Sequence, residues 1–415
     1  MVFVKYKIIT LGCKANQYDS AYMSRLLTAA GHVADPVSPD VCIINSCTVT
    51  AVADGKSGKA LRRSKREHPE AVAVLTGCLA QVKEDAAAAY PEADMIIGIT
   101  EQRDIVRLLE EHMKNGGRSV AVGENNGEVS SFIEAFPEHS RAFLKIEDGC
   151  DNFCAYCVIP FARGRVRSKP EAAVLDEIAA LTEGGYNELV LTGINMSAYG
   201  KDFDGSFLSL LKKIGEQGIA KRVRVSSIDP NLLTDEFIEA AAKMDFLCPH
   251  FHLSLQSGCD ATLARMGRRY TTEFIASAAE KLRAAIPNVQ FTGDVIVGFP
   301  GETEEEFATT CEFIKRLRPL DLHVFPYSRR KGTRAAAMPD QVPQEIKHLR
   351  SEKLIALENA IRAEVIAEAK KRPLEVLFET EKNGVFEGFS REYIPVKRKG
   401  NYRCGEVFTA EPEEA

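Results

Sequence analysis

Short apolar runs recur along the chain, with longer helix-patterned stretches between them. In the first third they fall at residues 5–10, 40–45, 71–75 and 95–98, β-branched or apolar and separated by polar, Ala-rich segments. This alternation predicts a parallel sheet with right-handed crossovers. Polar residues 123–139, with Asn125-Asn126-Gly127 and Pro137, predict a linker. A second series at residues 142–146, 188–192, 222–227, 251–255, 289–297 and 320–326 gives strands that are each followed by a helical pattern. It predicts a full or partial β/α barrel whose chemistry sits at the C-terminal ends of its strands, although a doubly wound sheet has the same periodicity. Pro343 opens a helical stretch with Ile346, Leu349, Leu354, Leu357, Ile361 and Val365 on one face, and Pro373 marks its end. Residues 374–410 then alternate around Asn383-Gly384 and Lys399-Gly400 as a small all-β module. The fold class is therefore α/β.

A chain of 415 residues holds two or three domains at roughly 150 residues each. Its 45% hydrophobic and 27% charged residues are ordinary for a globular protein, and no run approaches the ~18 apolar residues of a membrane span. The first residues pass from an apolar stretch into Cys13-Lys14-Ala15-Asn16 without a small-residue cleavage site, so no secretion signal is read and a cytoplasmic location is expected. The net charge of -6 argues against a general nucleic-acid binder, while leaving room for local basic patches. Trp is absent, so base stacking would fall to Tyr, Phe, His or Arg.

The eleven cysteines change the picture, because the cytosol keeps thiols reduced and clusters of them there bind metals or do redox chemistry. Cys150, Cys154 and Cys157 form C-x3-C-x2-C just past a predicted strand. Three such thiolates can hold three irons of a 4Fe-4S cluster and leave the fourth open to a ligand. The alternative, a zinc knuckle, normally needs four closed ligands, and no Cys or His follows closely to complete it. Cys13, Cys47 and Cys78 are spaced by 34 and 31 residues, and each ends a predicted strand. Adjacent parallel strands lie ~4.8 Å apart, so neighbouring strand ends could bring these thiols to one cluster; the alternative is three separately buried small hydrophobes. Cys42, Cys248, Cys259, Cys311 and Cys404 show no such order, and most of them read as buried small residues.

Cys150-Asp151-Asn152-Phe153-Cys154-Ala155-Tyr156-Cys157 resembles the cluster loop of radical S-adenosylmethionine enzymes. Leu11-Gly12-Cys13-Lys14-Ala15-Asn16, Asn45-Ser46-Cys47-Thr48-Val49-Thr50 and Thr76-Gly77-Cys78 resemble the N-terminal motifs of the methylthiotransferase family within it. Thr192-Gly193-Ile194-Asn195, His252-Leu253-Ser254-Leu255-Gln256-Ser257-Gly258 and Asp294-Val295-Ile296-Val297-Gly298-Phe299-Pro300-Gly301-Glu302 match in the same order. The resemblance implies a methylthiotransferase N-terminal domain at residues 1–125, a central partial (β/α)6 radical barrel at 137–370 and a short RNA-binding β module of the TRAM type at 371–415. It implies two 4Fe-4S clusters, one on Cys150, Cys154 and Cys157 that cleaves S-adenosylmethionine and one on Cys13, Cys47 and Cys78 that carries sulfur. Partners implied are the anticodon loop of tRNA and an electron donor such as flavodoxin or ferredoxin, with no membrane. No side-chain base usefully removes an unreactive C–H hydrogen, so a cofactor-made radical is expected and no catalytic side chain is singled out. In that context Tyr156 could pack on the adenine of S-adenosylmethionine, and Asn195, Ser227 and Gln256 could contact its polar groups. Gly193, Gly298 and Gly301, just past strands, would let backbone approach it, although glycines there also serve plain turns.

Basic residues cluster at Lys56, Lys59, Arg62, Arg63, Lys65 and Arg66, at Arg163, Arg165, Arg167 and Lys169, at Arg265, Arg268 and Arg269, and at Arg329, Arg330, Lys331 and Arg334. Lys397, Arg398, Lys399 and Arg403 add a further group near the end of the chain. They read either as solvated faces or as phosphate contacts to an RNA loop. Gly55-Lys56-Ser57 mimics a phosphate-binding loop, but Thr50 stands where that motif needs its first glycine. The Leu11–Asn16 motif and His323-Val324-Phe325-Pro326-Tyr327-Ser328 look most like the bacterial branch acting on N6-threonylcarbamoyladenosine at tRNA position 37. The branches acting on isopentenyladenosine or on a ribosomal protein side chain are alternatives, and a zinc and RNA-binding protein without catalysis is an alternative of another class. A threonylcarbamoyl carboxylate needs a cationic partner, for which Arg329, Arg330 and Arg334 are the candidates.

Overall fold

The computed structural model describes residues 3–82, 85–127, 129–136 and 139–412. Its first sheet contains β1 (Lys5–Thr10), β2 (Val33–Ala34), β3 (Val41–Ser46), β4 (Val72–Gly77), β5 (Met95–Ile97) and β6 (Ser119–Ala121). They are parallel throughout, in the order β2-β1-β3-β4-β5-β6. Every residue of β3 is buried, as a central strand covered on both faces requires. The apolar pattern does not reveal β2 and β6. They are edge strands of 2 and 3 residues, partly or fully exposed, too short to carry a period. Helices α1 (Lys14–Ala29), α2 (Ala51–Glu67) and α3 (Cys78–Val82) follow directly on β1, β3 and β4. Thr50, the residue that breaks the phosphate-loop pattern, is the N-cap of α2 and accepts from Ala53 N at 3.1 Å.

The second sheet contains β7 (Ala142–Lys145) and, after a small antiparallel ribbon of β8 (Glu147–Asp148) and β9 (Arg167–Ser168), β10 (Leu189–Thr192), β11 (Val223–Ile228), β12 (Leu247–Gln256), β13 (Gln290–Val297) and β14 (Asp321–Pro326). These strands are parallel and lie in sequence order, with β7 and β14 at opposite edges. The sheet is thus a partial barrel. The apolar pattern places this strand at residues 251–255, just after Pro249, which cannot donate to a ladder. The strand instead begins at Leu247, since its register with β11 skips from Val223↔Leu247 to Val225↔Phe251 and the irregularity accommodates the proline.

The helix Gln344–Ala369 starts after Pro343 and buries Leu354, Ile361 and Val365, while Ile346 and Leu349 stay partly exposed. Then β15 (Leu374–Lys382), β16 (Val385–Ser390), β17 (Pro395–Lys399) and β18 (Val407–Ala410) form an antiparallel sheet in the order β17-β16-β15-β18. Asn383 (φ 55°) and Gly384 (φ 72°) close the β15–β16 hairpin in the left-handed region that its tight turn demands. The apolar core of the partial barrel continues through Leu374, Val376, Phe378, Ile394 and Val396 of this sheet. The described residues of 123–139 contain no helix or strand, yet they are fixed in place. Ile133 and Phe136 are buried, and Ser131 O accepts from Tyr18 Oη at 3.0 Å. Pro137 and residues 413–415 lie outside the described residues.

Candidate functional site

Cys13 is the N-cap of α1, Cys47 follows β3 and Cys78 opens α3, so the three stand at adjacent ends of β1, β3 and β4. Asn16, one turn into α1, binds this edge together: its Nδ2 donates to Leu11 O at 2.8 Å and Ser46 O at 2.9 Å. Its Oδ1 lies 3.8 Å from Cys13 Sγ and 3.9 Å from Cys78 Sγ. Gly12 has φ +107°, and a Cβ there would stand 2.8 Å from Cys47 Cβ, so only glycine brings the β1 end this close to Cys47. Cys47 and Cys78 are buried and Cys13 is exposed. Burial pushes the Cys78 thiol up to about 12.

Cys150, Cys154 and Cys157 occupy the loop between β8 and the helix Ile159–Arg163. Cys157 N donates to Cys154 O at 3.0 Å and Cys150 N to Gly164 O at 3.1 Å, which fixes the turn at both ends. Asn152 N lies 3.5 Å and Asn195 Nδ2 3.8 Å from Cys150 Sγ, and Arg268 Nη1 is 3.3 Å from Cys154 Sγ. Burial pushes Cys150 up to about 11 and Cys157 to about 12. Six thiols held in two groups, several of them too desolvated to ionise alone, fit iron centres whose positive charge draws off the protons. Each group offers three sulfurs, which leaves a cubane iron free.

The other expected site residues lie at the C-terminal ends of successive barrel strands, the same edge as the Cys150 loop. Asn195 N donates to Glu147 Oε2 at 2.7 Å, and Gly193 stands against the same carboxylate. Ser227 Oγ is 2.8 Å from Ser254 Oγ, and Gln256 takes φ 64° at the end of β12. Gly298, at φ +69°, leaves no room for a Cβ, which would stand 2.4 Å from Lys347 Cγ, and its amide donates to Glu302 Oε1 at 2.8 Å. Gly301 N donates to Asp340 O at 2.9 Å. Tyr156 is half-buried, with its ring edge-on to Phe299 at 6.5 Å.

Two residues expected to meet RNA do something else. Arg163 and Lys169 are fully buried: Arg163 Nη1 pairs with Asp148 Oδ2 at 2.9 Å and Nη2 with Asp19 Oδ2 at 2.9 Å, while Lys169 pairs with Glu177 and Tyr18. Arg268 lies beneath the cysteine loop, donating to Asp229 Oδ2 at 2.9 Å. Arg165 remains at the surface, over the Phe153 ring. Sequence reasoning singled out neither Asn16 nor Glu147, whose Oε1 is buried without a hydrogen bond. Burial pushes Glu147 up to about 8. Asn16 stood in a motif noted for its cysteine, while Glu147, three residues before Cys150, carried no signal.

Residues 144–314 match the radical SAM superfamily, and residues 5–98 match an uncharacterized protein family, UPF0004. The threonylcarbamoyladenosine tRNA methylthiotransferase MtaB of Bacillus subtilis is 39% identical, with 94% of this chain and 89% of the relative covered. The enzyme of the same name from Thermotoga maritima is 38% identical over 96% and 92%. The tRNA-2-methylthio-N(6)-dimethylallyladenosine synthase of Carboxydothermus hydrogenoformans is 38% identical over 90% and 88%. Among solved structures, the radical S-adenosylmethionine methyltransferase TsrM of Kitasatospora setae, with cobalamin and a [4Fe-4S] cluster bound, superposes with a TM-score of 0.59 at 14% identity over 80% of this chain and 77% of that one. At that identity the likeness is one of fold.

Proposed function

Because the chain belongs to the tRNA methylthiotransferase family of radical S-adenosylmethionine enzymes, we propose that it replaces the C2 hydrogen of N6-threonylcarbamoyladenosine, at position 37 of tRNA, with a methylthio group. The observation that carries the reading is the pair of three-thiol groups at facing sheet edges, joined through Asn16 and Arg163. The two relatives named for threonylcarbamoyladenosine, matched over nearly the whole chain, favour that substrate. The 38% identical dimethylallyladenosine relative makes N6-isopentenyladenosine the second reading.

The reading divides the chain into residues 1–125, 137–370 and 371–415. Cys150, Cys154 and Cys157 would hold one 4Fe-4S cluster and Cys13, Cys47 and Cys78 the other. When bound, these groups supply the electron that cleaves S-adenosylmethionine to a 5'-deoxyadenosyl radical and the carrier for sulfur. This chain's own residues position and insulate. Asn195 Nδ2 and Arg268 Nη1 donate toward the sulfurs of Cys150 and Cys154 and orient them. Burial beside Gly193 pushes Glu147 up to about 8, while its Oε2 accepts from Asn195 N and so holds the Gly193–Asn195 turn. Tyr156, Ser227, Gln256 and Gly298 line the strand ends where S-adenosylmethionine would lie. The electron donor would be a small reduced protein such as flavodoxin or ferredoxin, and the setting the cytoplasm. No helix among the described residues is long and apolar enough to cross a membrane.

The test separates the two thiol groups. Reconstituted protein with Cys13, Cys47 and Cys78 changed to Ala should still release 5'-deoxyadenosine and yield no methylthio nucleoside. Normal product from that variant would overturn the assignment.

A further inference from the structure

The segment that leaves β14, residues 328–335, touches both thiol loops. Its first part clasps the Cys47 side: Ser328 Oγ accepts from Ala51 N, the first amide of α2, at 3.1 Å. Arg330 Nη2 then donates to Thr48 Oγ1 and pairs with Asp54 Oδ2, both at 2.8 Å. Thr48 Oγ1 donates in turn to Asp54 Oδ1 at 2.7 Å. One guanidinium and one carboxylate thus gather the residue after Cys47 and the first turn of α2, across 282 residues of chain.

Four residues after Arg330 the same segment grips the other loop. Gly332, at φ +86°, lets the chain turn back, with Thr333 N donating to Arg330 O at 3.2 Å. Arg334 Nη2 donates to Phe153 O at 3.2 Å and Ala335 N to Ala155 O at 2.8 Å, on either side of Cys154. Beneath these bonds Tyr327 and Ala335 pack with Ala155, Met266 and Phe299 in one small buried cluster. The arginines that the sequence offers as partners for a substrate carboxylate are therefore engaged in this segment itself, Arg329 through Nε to Ala336 O at 2.9 Å.

We propose that residues 328–335 are a strap that holds the Cys47 loop in register with the Cys150–Cys157 loop, and that Arg330 is its positioning residue. The Asn16–Arg163 contact reaches Cys13 and Cys78, and the strap reaches the neighbour of the third thiol, Cys47. The inference rests on the two-cluster reading above, in which the radical and the sulfur must arrive at the same carbon of the substrate. Chemistry divided in this way depends on alignment, since a misplacement of about 1 Å costs about 100-fold in rate. Loss of the clasp should leave cleavage of S-adenosylmethionine intact and lower the yield of product from each cleavage.

The experiment compares Arg330→Met with unaltered protein, both reconstituted, for methylthio nucleoside formed per 5'-deoxyadenosine released. The ratio should fall by about 10-fold or more, with the rate of cleavage and about eight irons per chain retained. Both contacts of Arg330 use one nitrogen, so Arg330→Lys should recover much of the ratio. In metal-free protein, amide hydrogen exchange over residues 48–54 should quicken in Arg330→Met. Ser328→Ala, a milder change at the same clasp, should move the ratio and the exchange in the same direction. An unchanged ratio overturns the proposal, and so does a loss of iron to about four per chain, which would make Arg330 a support of one thiol group alone. A lower ratio with unaltered exchange also overturns it, assigning Arg330 to substrate contact. If unaltered protein forms no methylthio nucleoside, the functional reading fails instead, and the exchange comparison still decides whether the clasp holds the loop.

Discussion

Arg163 Nη2 donates to Asn16 Oδ1 at 2.6 Å, joining a helix of the barrel's cysteine loop to the first turn of α1 in the other sheet. The same oxygen lies 3.8 Å from Cys13 Sγ, while Arg163 Nη1 holds Asp148, two residues before Cys150. One buried guanidinium thus fixes the position of both thiol groups. Asp19 and Asp148 balance its charge, and Lys145 pairs with both of them. A buried charge is tolerated only when it is paired in this way.

Arg163→Met should cost about 3–5 kcal/mol, because it leaves Asp19 with Lys145 alone and Asp148 with only Lys145 and the more distant Arg167, at 4.0 Å. Denaturant unfolding of the metal-free protein checks this. A loss under about 1 kcal/mol would mean that the network relaxes and does not hold the two sheets together.

Iron content tests the thiol groups separately. Intact reconstituted protein should bind about eight irons, on the basis of a 4Fe-4S cluster at each group. Changing Cys150, Cys154 and Cys157 to Ala should leave about half and abolish cleavage of S-adenosylmethionine. About four irons in the intact chain would remove the second cluster.

Two buried carboxylates should respond to pH with opposite signs. Glu188 suffers desolvation, yet Arg224, Arg222 and Arg141 draw it down to about 2. Its contribution to stability is present above the ordinary glutamate value and is lost as pH falls toward 2. Burial raises Glu147 to about 8, so its contribution is complete below the ordinary value and is lost as pH rises through 8. In metal-free protein, Glu147→Gln should flatten the stability profile between pH 5 and 8, and Glu188→Gln should flatten its acid limb. Unchanged slopes would contradict these environments.

The strand pattern was legible because buried parallel strands are continuous apolar runs, as in β3. Edge strands β2 and β6 were not, being too short for a period. The strand-end positions of Cys13, Cys47 and Cys78 could be read from spacing, whereas the Asn16–Arg163 contact could not, since it joins residues 147 apart in different sheets. For the same reason Arg163 looked like an RNA contact. A sequence shows its charge but not the two aspartates that neutralise it. The hydrogen-bonded cluster of His252, Asp294 and His323 draws on three strands and leaves no local pattern.

Nucleic-acid affinity should follow the exposed face of α2, where Lys56, Lys59, Arg62 and Arg66 project. Reversing Lys56, Lys59 and Arg62 to Glu should reduce the log–log salt slope of tRNA binding by roughly 0.7–0.9 per lost phosphate contact. An unchanged slope would assign this face to solvent. Deleting residues 371–415 would not test RNA binding cleanly. It would strip Arg141 of Glu379 and Arg224 of its bonds to Ser390 O and Arg391 O, and it would uncover the barrel core.

The most direct measurement is mass spectrometry of nucleosides from tRNA carrying both N6-threonylcarbamoyladenosine and N6-isopentenyladenosine, after incubation with the reconstituted enzyme, S-adenosylmethionine, a sulfur source and a reductant. The account predicts 2-methylthio-N6-threonylcarbamoyladenosine as the product, lost when Cys13, Cys47 and Cys78 are changed to Ala. Methylthiolation of the isopentenyl nucleoside alone, or of neither, would contradict it.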